Sequence, residues 1–236
     1  MTETAAGVEL AIDTAGAVAS VAISRQGALL AELTWRSHRN HSVELLPAIE
    51  LLLAQCGLER EQIRVLFVDR GPGAYAGLRV GISTAMGLAL ALDAELLAAG
   101  RLELDAYGQS AFPGPVCAIH QAGRGDLAWA VYERGGADLR ELAVPRLTDL
   151  DSLIEQAPDV GVFCGELAGL EERLLAGFPS ARRTSPAASQ RRAAWLSELG
   201  WARYIAGARD NPLSVDPLYL RDPAITKSKA AAGGGR

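Results

Sequence analysis

Only three cysteines, three histidines and two methionines occur among the 236 residues. Cys56, Cys117 and Cys164 are odd in number, far apart and without a Cys-x-x-Cys pair. That pattern excludes a thiolate zinc site and a disulfide framework, and fits reduced thiols. Basic residues are also in short supply, with 23 Lys and Arg against 28 Asp and Glu for a net charge of −5. A self-sufficient nucleic-acid binder would show the opposite balance. The segment Met1–Glu9 carries two acids and no basic stretch, so no secretory leader is expected there. The apolar run Val80–Leu92 is too short to span a bilayer and is followed by Asp93. The expectation is a cytoplasmic protein with no membrane contact. With 49% hydrophobic and 22% charged residues, the chain has enough apolar material for one domain or two small ones.

Glycine, by contrast, is concentrated. Gly71-Pro72-Gly73-Ala74-Tyr75-Ala76-Gly77-Leu78-Arg79-Val80-Gly81 follows the short apolar run Val65–Val68 and precedes a long apolar segment. This reads as a strand, a glycine-rich turn and a helix start, where backbone N–H groups can face an anion or a partner. No Gly-Lys-Ser or Gly-Lys-Thr ends the run, which excludes a Walker A loop. The Gly-x-Gly-x-x-x-Gly spacing is one residue too long for a dinucleotide fingerprint.

Strand-like runs at Val8–Ile12, Val18–Ser24 and Ala28–Trp35 open the chain, the last two joined by the hairpin-type loop Arg25-Gln26-Gly27. The spacing of Leu45, Leu46, Ile49, Leu52 and Leu53 predicts a helix from an N-cap at Ser42 to about Gln55, stopped by Gly57. The strand Val65–Val68, the glycine turn, a helix Val80–Leu92 and a strand near Glu95–Ala98 follow. Three meandering strands and then helix, strand, helix, strand is the order of a ribonuclease-H-like lobe. A break at Phe112-Pro113-Gly114-Pro115 separates this lobe, 1–112, from a looser repeat, 113–226, leaving 227–236 as a tail. The repeat has strands near Val116–His120, Leu127–Glu133, Arg140–Pro145 and Val160–Cys164, and helices near Asp149–Gln156, Leu167–Leu175 and Gln190–Ala208.

Candidate chemistry is thin. Asp13-Thr14 closes the first strand and, with Gly71 and Gly73, is the only candidate for phosphate proximity; the competing reading is a turn cap. His38, His41 and Glu44 lie close in sequence, but the histidines are three apart and no full ligand shell can be drawn, so no metal is expected. Glu166, Glu171 and Glu172 read as acids at a helix start. Arg182-Arg183 and Arg191-Arg192 form a modest basic patch, read as a solvated face, with RNA contact as the alternative. No Gly-x-Ser-x-Gly elbow is present. No catalytic residue and no cofactor are expected. The apolar helix Val80–Leu92 carries no charge on any face, so its outer side needs a cover. The expected partner interface is Leu45, Leu46, Ile49, Leu52 and Leu53 with Gly81, Ala85, Leu88 and Leu92.

Four ordered stretches give a family resemblance. Gly71, Pro72, Gly73, Gly77, Arg79 and Gly81 match the Gly-Pro-Gly-Ser-Phe-Thr-Gly-x-Arg-x-Gly signature of the TsaB (YeaZ) family, while Ala74 and Ala76 replace its hydroxyl residues. Leu10-Ala11-Ile12-Asp13-Thr14, His41-Ser42-x-x-Leu45-Leu46-Pro47 and Pro217-Leu218-Tyr219-Leu220-Arg221 resemble its opening strand, first helix start and closing motif. The resemblance implies an α/β fold of two ribonuclease-H-like lobes of the actin and sugar-kinase superfamily, mixed sheets flanked by helices. It also implies a non-catalytic scaffold in bacterial synthesis of N6-threonylcarbamoyladenosine in tRNA. Such a scaffold binds and stabilises the TsaD transferase, supports docking of the TsaE ATPase, meets tRNA only within the complex, and pairs with itself when alone. The alternatives are a small-molecule kinase or ATPase of the actin-like fold and a metallopeptidase-like protein.

Overall fold

A computed structural model describes residues 7–136 and 138–220. Arg221 of the closing motif and the tail 227–236 lie outside the described residues.

The first sheet contains β1 (Val8–Asp13), β2 (Val18–Arg25), β3 (Ala28–Arg36), β4 (Ile63–Asp69) and β5 (Glu95–Ala99), in the order β3-β2-β1-β4-β5. β1 pairs antiparallel with β2 and parallel with β4. Between these strands run α1 (His41–Cys56) and α2 (Tyr75–Leu92), and α3 (Arg101–Tyr107) follows β5. The second sheet contains β6 (Val116–Gly123), β7 (Asp126–Gly135), β8 (Asp138–Thr148), β9 (Val162–Gly165) and the short edge β10 (Arg182–Arg183), in the order β10-β9-β6-β7-β8. β6 again pairs antiparallel with the next strand and parallel with the strand that returns after a crossover helix. Each sheet therefore has the meander-then-crossover order of a ribonuclease-H-like lobe. The crossover and terminal helices of the second half are α4 (Leu150–Gln156), α5 (Glu171–Gly177) and α6 (Ala193–Ile205).

The layers explain the composition. α1 and α2 cover one face of the first sheet through Leu45, Ile49, Leu52, Ile82 and Ala85, packed on Leu10, Ile12, Val21 and Leu66. The other face, with Ala11, Ala22, Val65 and Phe67, is covered by α6 and Tyr107 of α3. α3 also packs on the second sheet through Leu102 and Ala106, and the far face of that sheet carries Leu153 and Leu174 of α4 and α5. α6 lies in the segment 113–226, yet it is built into the core of the first sheet: a Cβ on Gly200 would overlap the Phe67 ring.

Several local expectations need correction. α1 begins at His41 with Asn40 as N-cap and no side-chain cap bond, so Ser42 is already helical. Its end matches, with Gly57 in the left-handed region at φ 64. α2 has 18 residues rather than the shorter run 80–92, and in length and composition it could cross a membrane. Here one of its stripes, Gly77, Leu78, Gly81, Ile82, Ala85 and Ala89, is buried in the protein. α3 and β10 were not expected from the sequence.

Candidate functional site

The glycine-rich turn brings α2 onto the end of β1. A Cβ on Gly73 would overlap the Ala15 carbonyl, and one on Gly81 would overlap the Thr14 hydroxyl. Glycine is required at these positions by close approach. Ala74 N donates to Ala15 O at 2.9 Å, and Thr14 Oγ1 donates to Gly77 O at 2.8 Å. Gly71 N is held by Asp69 Oδ1 at 2.7 Å and Gly71 O by Arg101 N at 2.8 Å. His41 lies beneath this junction, its Nε2 3.1 Å from Gly16 O. The polar groups of Thr14, Gly71 and Ala74 are spent on each other and on their neighbours. Thr14, Gly71 and Gly73 thus hold the junction of β1 with α2.

Asp13 is different. It points at Arg191, 178 residues away, whose Nε donates to Asp13 Oδ2 at 2.7 Å. The same guanidinium lies 3.7 Å from Asp69 Oδ2 and 3.8 Å from Asp105 Oδ1. Arg101, one helical turn before Asp105, stands 3.7 Å from Asp105 Oδ2 and donates from Nη2 to Glu166 Oε1 at 2.5 Å. Glu166 Oε2 accepts from Gln121 N at 3.0 Å and lies 2.9 Å from His120 Nδ1. A continuous chain of charge therefore runs from β1 and β4 through α3 to the loop after β9. Asp13, Asp69, Asp105, Arg101 and Arg191 are all buried.

Burial alone would raise every carboxyl in this cluster. For Asp13 the charge and hydrogen bond of Arg191 and the Ala15 N–H outweigh it and hold the pKa below the usual range. Glu166 is likewise held well down against its burial, by the bond from His120 and the charge of Arg101. Asp69 is pushed well up, by burial and then by the charge of Asp13. Burial also pushes Asp105 up, to about 6. Burial lowers His120 in spite of its bond to Glu166. Asp13 and Glu166 thus answer Arg191 and Arg101, while Asp69 and Asp105 keep their protons to higher pH than an ordinary carboxyl. Among the described residues no group of three His, Cys, Asp or Glu is placed to hold a metal ion.

Arg101, Asp105, Glu166 and Arg191 of this cluster form the floor of a cleft between the two sheets, with a cavity of about 430 Å³ also lined by Gly16–Val18, Gly165–Ala168, Arg36, Arg183 and the segment around Gln190. Asp13, Thr14, Gly71 and Gly73 do not line it. Arg101 and Asp105 escaped the sequence reading because α3 did; their i, i+4 spacing was the available signal. Arg191 was visible only as half of a basic pair.

The expected partner surface divides in two. Leu45, Ile49, Leu52, Leu53, Gly81 and Ala85 are buried core, and Leu88 and Leu92 are half-buried against it. Of the nine residues only Leu46 is exposed. The outward apolar side chains of the two helices are instead Val43 (72% exposed), Leu46, Leu51 and Leu90. The sequence showed that these helices are too apolar for one stripe, but not which residues face out.

A family model described as TsaD, tRNA N6-adenosine threonylcarbamoyltransferase, matches residues 29–181. The chain is similar to the tRNA threonylcarbamoyladenosine biosynthesis protein TsaB of Bacillus subtilis, at 30% identity over 70% of this chain and 74% of that one. The crystal structure of YeaZ from Pseudomonas aeruginosa superposes with a TM-score of 0.79 at 24% identity, over 91% of this chain and 100% of that one. Component A of (R)-2-hydroxyglutaryl-CoA dehydratase from Acidaminococcus fermentans shares the fold alone, with a TM-score of 0.50 and 14% identity over 84% of this chain and 99% of that one. The fold class is a two-lobed α/β arrangement of mixed sheets flanked by helices.

Proposed function

Because this chain belongs to the TsaB (YeaZ) family, we propose that it serves tRNA threonylcarbamoyladenosine biosynthesis as a non-catalytic subunit that holds a TsaD-type transferase. The observation that carries this reading is Arg191. Its guanidinium occupies the point on which Asp13, Asp69 and Asp105 converge, so an internal cation stands where these acids could otherwise hold an external one. Carboxylates tied to an internal arginine are poorly placed to take up a cation and a phosphate, because that exchange would strand a buried guanidinium. The matched TsaD model spans 29–181 and so includes neither Asp13 nor Arg191; the transferase name does not extend to the pair that closes the floor.

The partner surface in this reading is the outer face of α1 and α2. Val43, Leu46, Leu51 and Leu90 leave an apolar patch on two neighbouring helices, the kind of surface that association covers. A second copy of the chain takes the same face when the transferase is absent, and TsaE docks on the assembled pair.

Two measurements test the proposal. In a reconstituted assay with tRNA and threonylcarbamoyl-AMP, the chain without TsaD gives no modified adenosine, and product above the no-protein blank would overturn the non-catalytic role. The full chain also co-purifies with TsaD from the same organism, whereas Leu46→Glu with Leu90→Glu elutes as a folded monomer that does not. Retained capture by that variant would move the interface elsewhere.

A further inference from the structure

The cleft floor is balanced, but its rim is not. Arg36 ends β3, an edge strand of the first sheet, and Arg183 ends β10, an edge strand of the second. Both are exposed and both line the same cavity. Arg36 sits opposite Val18, itself a lining residue, in the β2–β3 register. Arg39 follows Arg36 in a turn held by two hydrogen bonds: Ser37 N donates to Ala17 O at 2.8 Å, and Ser37 Oγ accepts from Asn40 N at 3.2 Å. Arg39 is exposed at φ 67 in that turn. None of the three guanidinium groups has a hydrogen bond or ion pair with a described residue. In a chain of net charge −5, two such groups on the two lips of one cleft, with a third in the turn beside Arg36, are a local reversal of sign.

We infer that the lips of the cleft form a contact site for the phosphate backbone of RNA, with Arg36 and Arg39 on one side and Arg183 on the other. The inference rests on the proposed place of the chain in tRNA modification, and it assigns the RNA a surface on this subunit. The distribution of charge selects the occupant. A mononucleotide would have to bring its phosphates to the floor, where the guanidinium groups of Arg101 and Arg191 are buried and already engaged by Glu166 and Asp13. A backbone stays at the rim, where guanidinium groups on opposite lips meet successive phosphates as bidentate donors. Edge strands supply rigid, spaced positions, and Thr184 beside Arg183 is tied back to Phe163 O at 3.0 Å by its backbone N–H.

The test is an anisotropy titration of a labelled, unmodified tRNA transcript with the full chain, alone and with TsaD, at about 50 mM and about 200 mM salt. The variant carries Arg36→Glu, Arg39→Glu and Arg183→Glu, each also made singly; Arg124→Glu, on the exposed β6–β7 turn, is the control for one charge reversal away from the cleft. We expect the triple variant to bind at least about tenfold more weakly, with a salt slope smaller by about 2, as the loss of two to three phosphate contacts requires. The control should match the wild type. Equal binding by the triple variant would overturn the inference. So would the absence of tRNA binding in both states of the wild type. Displacement of the tRNA by millimolar Mg-ATP would reassign the arginines to a nucleotide and overturn it as well. Capture of TsaD is scored in parallel by size exclusion: loss of capture with the tRNA difference intact strikes the scaffold reading, not the rim.

Discussion

The cleft floor and the outer face of α1 and α2 both invert the usual distribution of polarity, one by burying charge and the other by exposing leucine. Their energetics differ. At the floor every cation has an acid within 4 Å, so the inversion is complete within one chain. On the outer helices Val43, Leu46, Leu51 and Leu90 face solvent, and nothing among the described residues covers them. A region that is self-sufficient should respond to mutation through stability. A region that awaits a partner should respond through association.

Removing the central cation is the most severe way to break that contrast. Arg191→Met leaves Asp13, Asp69 and Asp105 facing one another in a buried space, and loss of one partner from such a cluster costs about 3–5 kcal/mol. Chemical denaturation should show a fall of that order, with TsaD capture lost only as far as the fold is lost. A melt within 2 °C of wild type, or about 0.5 kcal/mol, would mean that the aspartates do not depend on Arg191.

Next in size is a pH effect. Burial raises the Asp105 pKa to about 6 in the fold, against an ordinary carboxyl value of 3.8. The folded state therefore holds its proton more tightly than the unfolded state, and this group's contribution falls as pH rises between those values, by up to about 3 kcal/mol. Asp13 and Glu166, with lowered values, act in the opposite sense and lose their contribution as pH falls. Asp105→Asn should gain on wild type by that amount between about pH 4 and pH 7 in urea denaturation. A constant difference across the range would show that Asp105 stays ionised.

The glycine turn gives a smaller, steric effect. Gly73→Val must push the Ala15 carbonyl aside and should cost about 1–3 kcal/mol, while Ala74→Ser, on an exposed residue, should leave the thermal midpoint unchanged. Equal tolerance of both would remove the close-approach argument. Smallest in stability is Leu46→Glu with Leu90→Glu, within about 0.5 kcal/mol per site. Its readout is the abolished association described above, which makes the contrast sharpest.

How much of this was legible in the sequence depends on the range of the interaction. Strands β1 to β4, the end of α1 at Gly57 and the repeat of the second sheet follow from local periodicity and glycine. α3 did not, because seven residues directly after β5 give too few turns for an apolar period. Asp13 was visible as a strand-end acid, but its partner is separated by most of the chain and no spacing rule links them. The outward residues of α1 and α2 were hidden for another reason. Apolar side chains surround both helices, and only the packing on Leu10, Ile12 and Leu66 decides which stripe faces in.

The return of α6 to the first sheet has a consequence for how the protein is made. Ala193, Leu196 and Leu199 are fully buried beside Ala11, Val65 and Phe67. β1, β2 and β4 therefore keep one hydrophobic face bare until α6, the last helix of the described residues, has been translated. Nascent chains released before Ile205 would expose that face, and a premature stop there would yield aggregating fragments rather than a smaller soluble lobe.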